Sequence, residues 1–311
     1  MTTLTRRAAL TAAAALPAAA AAIPSFVPAT AHAAGHSADP VQPQARGIAL
    51  GDMQVTALLA GTRTAEGNMQ ETFGMNVDAD TFAAASEAAF IPTDASQFFF
   101  TPTLVSTGGE LVLLDTGLNA AGITAALEAA GHTPADVTRV VITHMHGDHI
   151  GGLMNDGSPT FENAGYTTGQ AEFDHWSANA NDGFNANVAP LADRFTFVED
   201  GAEVAPGITA MAMFGHTPGH MGYMLNSGDR SLLVTADLAN HYVWSLAHPD
   251  WEVRFDMDKD AAAQARRTVL GMVAADRIPM LGYHMPFPAM GFVEANGDGF
   301  RWIPESYQLM L

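Results

Sequence analysis

The sequence predicts an α/β protein in which sheets pack on one another with helices outside. Three observations carry this. Short strand-like segments recur along most of the chain, helical segments fall between them without strict β-α-β alternation, and the chemically distinctive residues stand at strand ends. A doubly wound parallel sheet would require the alternation that is missing.

Taken in order, 48–50 and 54–60 flank Gly51-Asp52, a hairpin signal, and 103–106 and 111–115 flank Gly108-Gly109 in the same way. Residues 123–130 have helical spacing and stop at Gly131, and 139–143 is a β-branched strand that delivers the chain into His144. Segments 195–198, 208–214, 222–225 and 231–235 read as further short strands, and 78–90, 170–178 and 259–274 as helices.

The first 33 residues read as an export signal. Arg6 and Arg7 precede an Ala/Leu-rich run, which Ala31-His32-Ala33 closes as a cleavage site, and the paired arginines point to the Tat route. Pro17 and Pro24 interrupt the run well short of the roughly 20 apolar residues of a membrane span, so no stable membrane anchor is expected. The expected location is periplasmic or extracellular. Residues 34–46 lack periodicity and read as a linker; 47–311 suits one large domain.

Acidic residues number 33 against 13 basic ones, with Lys259 the only lysine. Nucleic acid is therefore not an expected partner, because binding phosphate needs a basic face. Cysteine is absent, so any metal must be held by histidine and carboxylate. Nothing in the sequence fixes the oligomeric state, and a homodimer is compatible with it.

The chemistry concentrates in "THMHGDHIGG", residues 143–152. His144 and His146, two apart in extended backbone, point to one side and can reach one ion. A turn at Gly147 then redirects Asp148 and His149 toward a second ion, and Gly151-Gly152 lets the backbone pass close by and start a helix. Further donors stand at later strand ends: His216 in "GHTPGH", Asp237 in "LLVTADLA" and His284 in "LGYHMPFP".

These motifs, in this order, resemble the metallo-β-lactamase superfamily from about residue 47 to the end. The resemblance implies an αββα sandwich with a two-metal site at one edge of the two sheets. It implies that His144, His146 and His216 hold one ion, that Asp148, His149 and His284 hold the other, and that Asp237 bridges them. Asp115 of "LVLLDTG" and His220 would support the ligands from behind. Zinc suits the donor set first, while Mn²⁺, Co²⁺ and Fe²⁺ also fit. In two-metal chemistry a hydroxide held between the ions attacks the substrate, and Asp148 or Asp237 shuttles the proton.

The retained His146 argues for hydrolysis, since oxygen-reducing members carry glutamate there, and members with a cysteine ligand are excluded. The pattern is most similar to the methyl parathion hydrolase-like and lactonase branch, which implies a lactone, ester or phosphotriester substrate. A β-lactamase or thioesterase is the alternative, with a noncatalytic metal-binding protein behind both. Aromatic residues near the motifs suggest a pocket for a small neutral apolar substrate, formed by Phe99, Phe100, Trp176, Phe184, His241, Trp244 and Phe287.

Overall fold

The computed structural model describes residues 44–306. The expected signal and residues 34–43 of the expected linker lie outside them. Strands β1 (Ala45–Leu50) and β2 (Met53–Leu58) form the predicted first hairpin. Strand β1 begins two residues ahead of the boundary expected at 47, because Arg46 is tied to Glu305 by an ion pair of 2.7 Å. Next come β3 (Gly61–Glu66), α1 (Ala79–Ala88), β4 (Ala95–Phe100), β5 (Thr103–Ser106), β6 (Leu111–Leu114), α2 (Ala120–Ala129) and β7 (Arg139–Ile142). The one-turn α3 (Gly147–Ile150) leads into a small hairpin of β8 (Met154–Asn155) and β9 (Ser158–Pro159). Strand β10 (Gly165–Gly169), α4 (Gln170–Ala178), α5 (Asp182–Asn187) and β11 (Phe195–Val198) complete the first half.

The second half runs β12 (Glu203–Ala205), β13 (Ile208–Ala212), β14 (Met221–Ser227), β15 (Arg230–Ala236), α6 (Lys259–Asp276), β16 (Met280–Gly282), β17 (Met290–Asn296) and β18 (Gly299–Pro304). One seven-stranded sheet has the order β1-β2-β5-β6-β7-β10-β11, and the other takes β12 to β18 in sequence. Strands β3 and β4 stand apart as a two-stranded ribbon.

The layering follows from side-chain alternation. In the first sheet Val55, Val105, Val112, Leu114 and Val141 join the core shared with Tyr223, Leu225, Leu232 and Leu233 of the second. Their neighbours Leu104, Leu113, Val140 and Ile142 face the other way, onto Ile123 and Leu127 of α2 and Trp176 of α4. A sheet buried on both faces reads as an unbroken apolar run, which is how residues 139–142 appear in sequence. Helix α6 covers the second sheet through Val269, Leu270 and Val273. The result is the expected α/β/β/α sandwich. Side-chain caps fix where the helices begin: Asp78 accepts from Thr81 N, Asn119 from Gly122 N and Asp258 from Ala261 N.

Candidate metal centre

Five of the seven proposed ligands come from strand ends or the loops that follow them, and the other two from a one-turn helix just beyond, at one edge of the two sheets. His144 and His146 follow β7; Asp148 and His149 lie on α3, whose N-cap is His146. His216 stands between β13 and β14, Asp237 directly follows β15, and His284 follows β16. The glycine pair behaves differently from expectation. Helix α3 begins at Gly147, and Gly151-Gly152 close it instead of starting it. A Cβ on either glycine would lie 2.2 Å from a carbonyl oxygen, of Leu118 or Thr116, so the expected close approach of backbone is present.

Three imidazole nitrogens converge on one point. His146 Nδ1 is 3.1 Å from His144 Nε2 and 3.0 Å from His216 Nε2. Around a second point, His284 Nε2 lies 3.3 Å from Asp148 Oδ2 and 3.2 Å from Asp237 Oδ2, while His149 Nε2 lies 3.2 Å from Asp237 Oδ1. Asp237 Oδ2 is also 3.4 Å from His216 Nε2, so one carboxylate reaches both clusters.

The far side of each ring decides which nitrogen is free. His216 Nδ1 faces Asp256 Oδ1 at 3.0 Å, His149 Nδ1 faces Asp115 Oδ2 at 2.8 Å, and His284 Nδ1 faces the Phe99 carbonyl at 2.8 Å. Each acceptor holds the proton on Nδ1 and leaves the Nε2 lone pair aimed inward. Asp115 stands at φ 63°, and its carboxylate also accepts from the Thr143 amide and hydroxyl, both at 2.9 Å. His220 has both ring nitrogens in use: Nδ1 donates to the Met213 carbonyl and Nε2 accepts from the Asp237 amide. It therefore positions Asp237 and has no lone pair left for an ion.

The electrostatics match a cation-binding centre. Burial and the neighbouring His216 push His146 down to about 3. Burial also opposes charge on His149 and His284, yet in the metal-free protein the carboxylates of Asp237 and its neighbours lift His149 well above the ordinary range and His284 to about 10, so a proton takes the Nε2 position that a cation would claim. Burial would raise Asp148, but His149 and His284 hold it at about 2.

The residues fit two metal ions. Lone-pair nitrogens of His144 and His216, each within 3.1 Å of His146 Nδ1, repel it unless a cation sits among the three. A tetrahedral ion with bonds of 2.0–2.1 Å sets its nitrogen ligands roughly 3.3 Å apart, close to what is seen. His149 Nε2 and Asp237 Oδ1 are buried without a hydrogen-bond partner, the state expected of atoms meant for a metal. His144, His146 and His216 can hold one ion and Asp148, His149 and His284 the other, with Asp237 reaching both.

A cavity of about 390 Å³ opens over the centre, lined by Arg63, Phe98, Phe100, Leu118 and Phe255 together with ligand residues. Of the aromatic residues expected there, Phe100 alone lines it. Phe99 alternates to the other face of β4 and, with His241 and Trp244, lines a neighbouring cavity of about 400 Å³. Trp176 packs edge-on against His146, with ring centroids 5.9 Å apart, as part of the core beneath α4. Phe184 belongs to that same core, and Phe287 packs against the core between the sheets, so neither lines these two cavities. Aromatic content near a motif does not say which face of a strand each ring will take.

The family model described as the metallo-beta-lactamase superfamily matches residues 101–280, more than half of the chain. The chain belongs to the metallo-β-lactamase superfamily. Among curated proteins, an N-acyl homoserine lactonase of a Bacillus species is 26% identical over 112 residues, 36% of this chain and 42% of its own length. A beta-lactamase-like protein 2 homolog of Caenorhabditis elegans is 30% identical over 119 residues, 38% of this chain and 36% of its own. The chain thus spans less than half the length of the curated relatives it matches. The solved structure of AidC, a dizinc quorum-quenching lactonase, shares a TM-score of 0.77 at 24% identity, covering 85% of this chain and 99% of that one. The hydrolase AbOPH gives 0.78 at 24% identity, covering 86% and 99%. These two likenesses establish the fold.

Within this metallo-β-lactamase superfamily site, several supporting residues escaped the sequence reading. Glu172 of α4 is fully buried and accepts from Met145 N, Trp176 Nε1, Thr217 Oγ1 and Gly219 N at 2.7–3.0 Å. It joins the first ligand loop to the loop carrying His216. Asp256 bridges His216 to the buried Arg266, whose Nη1 donates at 2.7 Å. Asn240 donates to Asp237 Oδ2 at 2.8 Å, and Tyr283 packs at a 31° tilt on His149 with centroids 3.9 Å apart. Their only signal in the sequence was proximity to a motif: "QAEFDHW" holds Glu172 and "VRFDMD" holds Asp256.

Proposed function

We propose that the protein is a two-metal hydrolase of lactones, with zinc as the ion that best suits its donors. The observation that carries this reading is the pair of converging donor clusters, with inward lone pairs and orphaned buried atoms, at the floor of an apolar-walled cavity. The Bacillus relative, an N-acyl homoserine lactonase, supports lactones as the substrate class. Two such ions would supply a water acidified toward neutrality and a Lewis acid for the carbonyl.

The chain's own residues do the rest. Phe98, Phe100, Leu118 and Phe255 hold the apolar body of the substrate and exclude bulk water from the cavity floor. Asp148 and Asp237 border that floor and are the carboxylates placed to take a proton there and return it to the leaving alkoxide. Asp115, Asp256 and the Phe99 carbonyl hold three imidazoles in one tautomer. Phosphotriesters and simple esters are secondary substrates in this reading. Export rests on Arg6, Arg7 and the Ala31-His32-Ala33 site; among the described residues, no helix is long and apolar enough to cross a membrane.

The test is a side-by-side assay of the metal-loaded protein on an acyl-homoserine lactone, paraoxon and nitrocefin. The lactone is expected to turn over fastest. Faster nitrocefin turnover would replace this reading with a β-lactamase, and no turnover of any of the three after metal loading would overturn hydrolysis.

A further inference from the structure

Among the described residues lining the cavity over the donor clusters, Arg63 is the only arginine or lysine. It lies on β3, the solvent-facing strand of the ribbon that stands apart from both sheets. Most other arginines here are committed. Arg46, Arg139, Arg266, Arg267 and Arg301 each meet a carboxylate, and Arg194 donates to the carbonyls of Glu162 and Ala164. Arg63 makes none of these contacts. Its guanidinium carbon sits 5.6 Å from the centroid of Phe98, whose ring stands edge-on to His284 at 5.9 Å.

This placement has two consequences. The ring of Phe98 holds the guanidinium plane at the cavity wall through a cation–π contact, which restrains it without using any of its five N–H donors. In a chain with 33 acidic residues and 13 basic ones, this guanidinium offers an anion at the cavity wall a local partner against the prevailing negative charge. Phe98 touches both, with Arg63 over its ring and His284 at its edge.

We propose that Arg63 is a specificity-determining residue, and that the substrate carries a carboxylate at the end remote from the lactone carbonyl. The reacting carbonyl would lie over the metal centre, the apolar spacer against Phe98, Phe100 and Phe255, and the distal carboxylate against the Arg63 fork. A guanidinium matches a carboxylate with two parallel N–H···O bonds, a geometry that a lysine cannot reproduce. The inference rests on the lactone reading above and replaces the expectation of a wholly neutral substrate.

The test compares the metal-loaded protein on a matched pair: a lactone bearing a side-chain carboxylate and its neutral methyl ester. The wild type is expected to favour the acid about tenfold in kcat/KM, mainly through KM, and the preference should fade as ionic strength rises. Arg63→Met is expected to bring the ratio to within twofold, and Arg63→Lys to restore part of it. A second measurement titrates the non-hydrolysable lactam of the same acid into each protein, where Arg63→Met is expected to weaken binding about tenfold. An unchanged acid-to-ester ratio in Arg63→Met, or equal loss on both substrates, would overturn the proposal. If the wild type hydrolyses neither lactone, the lactone reading fails, and equal lactam binding by wild type and Arg63→Met would then dispose of the Arg63 proposal as well.

Discussion

Thr217 donates its hydroxyl proton to Glu172 at 2.7 Å, and through the other carboxylate oxygen that contact reaches Met145 N. The residue after one candidate metal ligand is thus tied, by a single buried side chain, to the residue after another. Glu172→Ala leaves four donors without an acceptor in a site that excludes water, and is expected to cost about 3–5 kcal/mol. In a domain of this size that is a fall in melting temperature of roughly 10 °C. Glu172→Gln, which keeps one accepting oxygen, should lose less. Thermal unfolding of the metal-free proteins checks this, and equal melting temperatures would refute it.

The two carboxylates behind the imidazoles should act on different ions. Asp256 supports His216 and Asp115 supports His149. Asp256→Asn is expected to weaken the first site, and Asp115→Asn the second, each by roughly 10- to 100-fold in metal affinity. Competition with a graded chelator, followed by metal analysis, separates the two. Equal weakening of both sites in either variant would contradict the assignment.

Ligand loss should show the same asymmetry. His146→Ala is expected to retain the second ion preferentially, whereas Asp237→Ala, which removes the carboxylate reaching both clusters, should retain neither fully. Activity is expected to fall at least about 100-fold in both. Metal-to-protein stoichiometry after dialysis is the deciding measurement.

His241 gives a pH prediction away from the ligands. Its Nδ1 accepts from Val243 N and Trp244 N, and burial depresses its pKa to about 3. The unfolded chain therefore binds a proton that the folded chain refuses between about pH 6.5 and 3. The stability from this residue is complete above pH 6.5 and is lost as the pH falls through that window. His241→Asn keeps an acceptor for the two amides and cannot titrate, so its melting temperature should fall less steeply between pH 6.5 and 4. Parallel curves for variant and wild type would show that the residue does not contribute.

The site was legible where chemistry restricts residue choice. Few roles other than metal binding put three histidines and an aspartate within six positions, and strand ends bring such residues to one edge whatever the loop lengths. The supporting residues were not legible, because Glu172 or Asp256 acquires its role only from donors that folding brings in from distant segments. The aromatic wall was half legible. Phe99 and Phe100 suggested a pocket, but strand alternation sends Phe100, together with Phe98, to one cavity and Phe99 to another. The hairpin of β17 and β18 turns at Gly297-Asp298, with Gly297 at φ 58°, a glycine-first turn signal weaker than the histidine motif.

His144, His146, Asp148 and His149 follow a strand of the first sheet, while His216, Asp237 and His284 come from the second. Each donor cluster draws on both. An ion captured at either point therefore crosslinks the two halves of the sandwich as a reversible rivet, installed only once they have docked. Metal content in a preparation then counts correctly assembled molecules, and stripping the metal should loosen the seam between the sheets before it disturbs either sheet alone.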